Sequence, residues 1–100
     1  MQMRIVWGKI LPGQWDRYEA AYKEAMTSRG KVDGLRSQWL VRDQADADAG
    51  YSVTVWESDE AMRAFWESQR RKDTTDPLQP FFVNQYTITN CDIRWELPGA

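Results

Sequence analysis

The strongest constraint on this chain is that its strand-like runs are apolar on both sides. "MRIVWGKI" (3–10) and "YSVTVWE" (51–57) are rich in β-branched and aromatic residues and read as strands. Side chains alternate along a strand, so Met3, Ile5 and Trp7 lie on one side of the first run and Val6 and Ile10 on the other. In the later run Tyr51, Val53 and Val55 share one side, and Trp56 shares the opposite side with Ser52 and Thr54. A sheet with large apolar residues on both faces needs cover on both.

The rest of the chain supplies cover for one face. From Gln14 to about Ser28, Trp15, Tyr18, Tyr22, Ala25 and Met26 recur at helical spacing, with Asp16, Arg17, Glu19, Lys23 and Glu24 mostly opposite. "LRSQWLVRD" (35–43) reads as a strand, joined to the one at 51–57 by the polar "QADADAG". Ser58 is the expected N-cap of a second helix, with Asp59 and Glu60 in its first turn. Met62, Phe65, Trp66 and Gln69 mark one face of that helix, and Asp59–Arg63 and Glu67–Arg71 are spaced to pair one turn apart. After the turn-rich "KDTTDPLQP", "FFVNQYTITNCDIRWEL" (81–97) reads as a long last strand, bent near Asn90–Asp92.

The order is β-α-β-β-α-β, a ferredoxin-like α+β plan with a four-stranded antiparallel sheet, in one domain spanning residues 1–100. Two helices cover one face. A second copy across a twofold axis is the simplest cover for the other, which predicts a homodimer with sheets packed face to face and Trp56 in the interface.

Composition narrows the chemistry. A net charge of −2 with interspersed signs argues against a nucleic-acid partner. No run approaches the ~20 apolar residues of a membrane span. The opening "MQMRIVWGKI" lacks the apolar stretch and cleavage site of a signal peptide. Cys91 is the single cysteine, so no intramolecular disulfide forms, and a cytoplasmic location is expected. The chain has no histidine, which excludes Ser-His-Asp and Cys-His nucleophiles and histidine-ligated haem. Asp43, Asp46 and Asp48 lack the spacing and terminal glutamate of a calcium loop and read as a solvated turn; no metal site is expected.

The segment "GLRSQWLVRDQADADAGYSVTVWESDEAMRAFW" resembles the antibiotic-biosynthesis-monooxygenase-like family of dimeric α+β barrels. Gly34-Leu35, Trp39 to Asp43, the turn ending at Gly50 and "VWESDEAMRAF" carry the resemblance, and "WGKILPGQWDRYEAAYKEA" is similar to the family's first strand and helix. The resemblance implies a dimeric barrel and, in some members, cofactor-independent monooxygenation of polycyclic phenols or quinols. Haem-degrading members use an asparagine on the first strand, a tryptophan on the second helix and a histidine beyond it. Here Val6 and Trp7 occupy the first-strand region, and Phe65 followed by Trp66 stands where many relatives carry histidine.

With six tryptophans, four tyrosines and three phenylalanines, the chain has enough aromatics both to fill a small core and to wall a cavity. Trp66 and Phe65, about 100° apart on their helix, are candidate wall residues for a flat aromatic ligand. Trp39 and Trp7 are further wall or interface candidates. Arg36 and Arg42, sharing a strand side with Gln38 and Leu40, are candidates to receive a phenolate or carboxylate. Tyr51, Asn84 and Tyr86 are candidate donors to a ligand oxygen, and Asp43 and Glu57 are acids at strand ends. Three readings follow: an oxygenase acting on an electron-rich aromatic, a non-catalytic dimeric domain that binds a small hydrophobic molecule or another protein, and an isomerase or lyase. An open pocket joining Trp66 to an arginine or to Asn84 favours the first. A closed core around Trp66 favours the second, and a buried carboxylate in a polar pocket favours the third.

Overall fold

A computed structural model describes residues 1–83 and 86–99 of the chain. Strand β1 (Gln2–Lys9) leads into helix α1 (Trp15–Arg29), followed by strands β2 (Leu35–Arg42) and β3 (Ala49–Trp56). Helices α2 (Asp59–Trp66) and α3 (Gln69–Thr75), a 3-10 turn (Asp76–Phe81) and strand β4 (Thr87–Asp92) complete it. The strands form one antiparallel sheet in the order β2-β3-β1-β4. The ferredoxin-like order expected from the sequence is therefore present, with an extra short helix. Among the described residues, no helix is long and apolar enough to cross a membrane.

The second half departs from the expected pattern at two places. The second helix does not run on through Arg71. It stops at Trp66, and Ser68 caps a new helix by accepting a hydrogen bond from the Arg71 N–H at 3.1 Å. A serine whose hydroxyl serves the backbone competes with helix continuation, and here it wins. The expected Glu67–Arg71 pairing gives way to a different contact: Arg71 Nε donates to the Trp66 carbonyl at 2.8 Å.

The last strand is also shorter than the run 81–97. Phe82 makes an isolated bridge with Ile10, and regular pairing starts only at Thr87. Phe81 and Phe82 instead pack on Tyr18, at ring-centroid distances of 5.9 and 5.7 Å. Aromatic burial outweighs strand continuation here, since each ring removes on the order of 150–250 Å² from water.

Two apolar clusters hold the helices on the sheet. Ile10, Trp15, Tyr18, Tyr22 and Leu78 form one; Val32, Trp56 and Met62 form the other, with Phe65 against them. Trp56, expected in a dimer interface, is 2% exposed and belongs to this second cluster. It ends β3 on the helix-covered side, below α2.

The helices cover the more polar face of the sheet. That face presents Arg4 and Val6 from β1, Ser52, Thr54 and Trp56 from β3 and Gln38 from β2. The outer face carries Met3, Ile5 and Trp7 beside Tyr51, Val53 and Val55. Trp39 and Val41 continue it on β2 and are exposed.

Candidate functional site

A cleft lies between the polar sheet face and the helices, separating the two apolar clusters. Its aromatic wall comes from α2 and the end of β3. Ser58 caps α2 by accepting from the Ala61 N–H at 3.1 Å, and Met62 anchors the helix in the core. This sets Phe65 beside Trp56, with centroids 5.7 Å apart and planes tilted by 31°. Trp66 is turned further round the helix and also lines the cleft.

Two arginines lie against the Trp66 ring. Arg4 on β1 places its guanidinium carbon 4.0 Å from the ring centroid, and Arg71 places its own at 5.0 Å. The break at Ser68 brings Arg71 back over the ring: without it, the residue five places on would point elsewhere around a continuous helix. Arg4 is 6% exposed, donates from Nε to Asn90 Oδ1 at 2.9 Å, and has a buried Nη1 with no hydrogen-bond partner among the described residues. Burial, followed by the nearby Arg71 charge, lowers its pKa from the usual guanidinium value.

A hydrogen-bonded chain crosses another part of the cleft. Arg29 Nη2 donates to Gln38 Oε1 at 3.0 Å, and Gln38 Nε2 donates to the Tyr22 hydroxyl at 2.7 Å. Tyr22 and Ser52 share a hydrogen bond of 2.7 Å. Burial is also the main cause that lowers the Arg29 pKa, and Arg29 lies 5.6 Å from the Phe65 ring. Tyr18 lines the same cleft, and burial raises its phenol pKa far above the ordinary range, so it stays protonated at neutral pH. Among the described residues, three arginines and no carboxylate line the cleft. It therefore favours anions and offers no acidic side chain as a proton acceptor.

The residues singled out from the sequence divide between the two sides of the sheet. Phe65, Trp66 and Tyr86 line the cleft, Tyr86 with its ring 5.8 Å from Phe82. Trp39 is 50% exposed on the outer face, and Tyr51 shares that face with Trp7 and Val41. Arg36 does not share a side with Gln38. A register shift between Leu35 and Ser37 interrupts the alternation, and Arg36 lines a hollow on the outer face with Trp39 and Val55. Asn84 lies outside the described residues. Arg42 donates to the Ala47 carbonyl and braces the β2–β3 hairpin. Asp43 accepts from the Ala45 N–H in the same hairpin, and Glu57 is exposed just beyond β3.

Arg4, Arg29, Arg71, Tyr22, Gln38 and Ser52 complete the cleft and were not among the sequence candidates. One signal for them exists: Arg4, Ser52 and Thr54 share the strand parity of Val6 and Trp56. Polar residues on a face that also carries large apolar ones are the pattern of a lined cavity.

Similar folds are known. SnoaB, a cofactor-independent oxygenase from Streptomyces nogalater, in a mutant form, is 12% identical, with a TM-score of 0.82 over 98% of this chain and 97% of its own. The protein Rv0793 from Mycobacterium tuberculosis is 14% identical, with a TM-score of 0.79 over 97% of this chain and 98% of its own. A conserved protein from Methanosarcina mazei Go1 is 12% identical, with a TM-score of 0.78 over 91% of both chains. These likenesses establish the fold. No curated protein matches the sequence. The family model described as antibiotic biosynthesis monooxygenase matches residues 1–76, and the chain belongs to that family.

Proposed function

We propose that the cleft is the reaction site of a cofactor-independent monooxygenase acting on an electron-rich aromatic, a phenol or quinol. One observation carries this reading: an aromatic wall, three arginines and a hydrogen-bonded tyrosine converge on one cleft. Without a cofactor the electrons come from the substrate. A quinol and dioxygen then give a hydroxyquinone and water, one oxygen atom entering each product. Such a reaction starts from the ionised phenol. The Arg29 guanidinium, bonded to Gln38 beside Tyr22, favours that anion, so the phenol releases its proton to solvent on binding and no carboxylate base is required. Gln38 and Ser52 hold Tyr22 at 2.7 Å on either side, in position to bond a substrate oxygen.

SnoaB, which shares the fold at 12% identity, supports this reading by its description as a cofactor-independent oxygenase. A quinol and polyphenol panel with oxygen-uptake readout tests it. Uptake above the buffer rate that falls at least tenfold in Trp66→Ala is the expected result; no uptake with any member of the panel defeats it.

The second reading, a non-catalytic domain binding a small hydrophobic molecule, is favoured by the cleft's size. It holds about 90 Å³, below the roughly 300–1,000 Å³ of sites for drug-sized ligands. A two-ring substrate thus requires side chains of the lining to make room. An isomerase or lyase of the kind considered above has no support, because its buried carboxylate is missing from the lining among the described residues.

The functional unit in this reading is a homodimer. Trp39 and Val41 on the outer face, with Trp95 and Leu97 at 78% and 73% exposure beyond β4, leave large apolar side chains exposed that a second copy would cover. Trp39 and Trp95 line one hollow, so the last segment extends the same patch.

A further inference from the structure

We infer that the substrate carries a permanent carboxylate, received by Arg4 and Arg71 beside Trp66, at a station distinct from the one that bonds the reacting phenol. The inference rests on the reading of the cleft as a ligand site and names the class of ligand.

Arg4 is the unusual group. It is more than nine-tenths buried, yet Nη1 has no partner and among the described residues no carboxylate lines the cleft around it. Asp59, whose charge acts on Arg4 from outside, is exposed and bonded to Arg63 at 2.6 Å. A buried cation without a counter-charge is costly, and the Trp66 face offsets only part of that cost. Arg71 adds a second positive charge 5.0 Å from the same ring. The bond from Arg71 to the Trp66 carbonyl and the ring contacts offset part of the cost, but the repulsion of two like charges, one of them buried, remains unanswered among the described residues. A planar carboxylate beside Trp66 would satisfy the free arm of Arg4 and neutralise the pair, as the guanidinium fork is shaped to do.

The second station is the chain of Arg29, Gln38, Tyr22 and Ser52. Arg4 pairs with Thr54 and Val6 with Ser52, so the backbone positions that carry the two stations stand two residues, roughly 7 Å, apart along the sheet. That separation suits a fused two-ring skeleton with a hydroxyl at one end and a carboxylate at the other. A neutral phenol would fill the Tyr22 end and leave Arg4 unpaired.

Redox-inert probes separate binding from oxidation. Calorimetric titration with 6-hydroxy-2-naphthoate and 2-naphthol is expected to show the acid binding about tenfold more tightly, the worth of a charge-assisted hydrogen bond. The preference should shrink as salt rises, vanish in Arg4→Met and survive in Arg42→Met, which alters an arginine away from the cleft. Should Arg4→Met fail to fold, Arg71→Met is expected to reduce the preference at least threefold. Equal affinities for the two probes, or a preference unchanged in either cleft variant, would overturn the carboxylate station while leaving the aromatic cleft in place. Failure of both probes to bind would remove the ligand site itself. A carboxylate preference without oxygen uptake from any quinol would support the station and discard the oxygenase.

Discussion

The Arg4 guanidinium stands 4.0 Å from the centroid of Trp66, a cation laid on an aromatic face inside the subunit. The contact is worth about 0.5–2 kcal/mol. The unbonded Nη1 beneath it costs about 1–3 kcal/mol. The contact offsets only part of that cost, so fold stability does not explain the arginine. Arg4→Met, which keeps the volume and drops the charge, should leave the melting temperature within a few degrees of wild type or raise it, while ligand affinity falls. Calorimetry on both proteins checks this; a loss above about 3 kcal/mol would show that Arg4 is structural.

Tyr22 links the helix to the floor of the cleft through Gln38 and Ser52. Tyr22→Phe removes one acceptor and one shared bond, and should cost about 1 kcal/mol in urea unfolding. Binding of phenols should weaken by a larger factor than binding of the same ring without a hydroxyl. Equal weakening of both ligands would assign Tyr22 to packing alone.

Gly50 admits no side chain. A Cβ there would stand 2.3 Å from the Val41 carbonyl oxygen and 2.4 Å from the Trp15 ring. The backbone oxygen is fixed by the sheet, so Gly50→Ala should destabilise by about 1–3 kcal/mol, which lowers the melting temperature by roughly 4–8 °C per kcal/mol in a domain of this size. Thermal unfolding measures it directly, and an unchanged midpoint would contradict this packing.

Asp46 holds the β2–β3 hairpin through Lys9 and the Asp48 N–H. The Lys9 bond, then the backbone bond, lower its pKa below the usual carboxylate value. Its contribution is therefore full above the unfolded-state pKa and is lost as pH falls through the lower folded value. Asp46→Asn should be less stable than wild type at neutral pH, and the gap should close on acidification below about pH 4. A gap that persists undiminished at pH 2 would show that charge is not its source.

Much of the fold was legible because local signals agree. Trp15, Tyr18 and Tyr22 at helical spacing become the buried face of α1, and Ser58 caps α2 as its position implied. Phe81 and Phe82 were not legible as a departure from strand, because β-rich composition does not reveal that Tyr18 competes for their rings. Arg36 was misplaced by one irregularity in pairing, which alternation counting does not detect. The cleft was half legible. Phe65 and Trp66 mark it, but Arg4 and Ser52 carried no signal beyond strand parity, and Gln38 was grouped with Arg36, which the register shift puts on the other side. Hydropathy assigns the apolar face to the core; here the helices cover the polar one.

The outer face makes its own prediction. Sedimentation at micromolar concentration should give twice the mass of one chain, and Trp39→Glu should dissociate it while retaining the helical circular dichroism spectrum. A monomeric wild type would remove the paired barrel.

The most direct measurement is mass spectrometry of the product formed from a quinol under isotopically labelled dioxygen. The account predicts a hydroxyquinone carrying one labelled oxygen atom, formed by the wild type well above the rate without protein and at least tenfold more slowly by Trp66→Ala. Unlabelled product, or labelled product at the same rate in the absence of the protein, would contradict it.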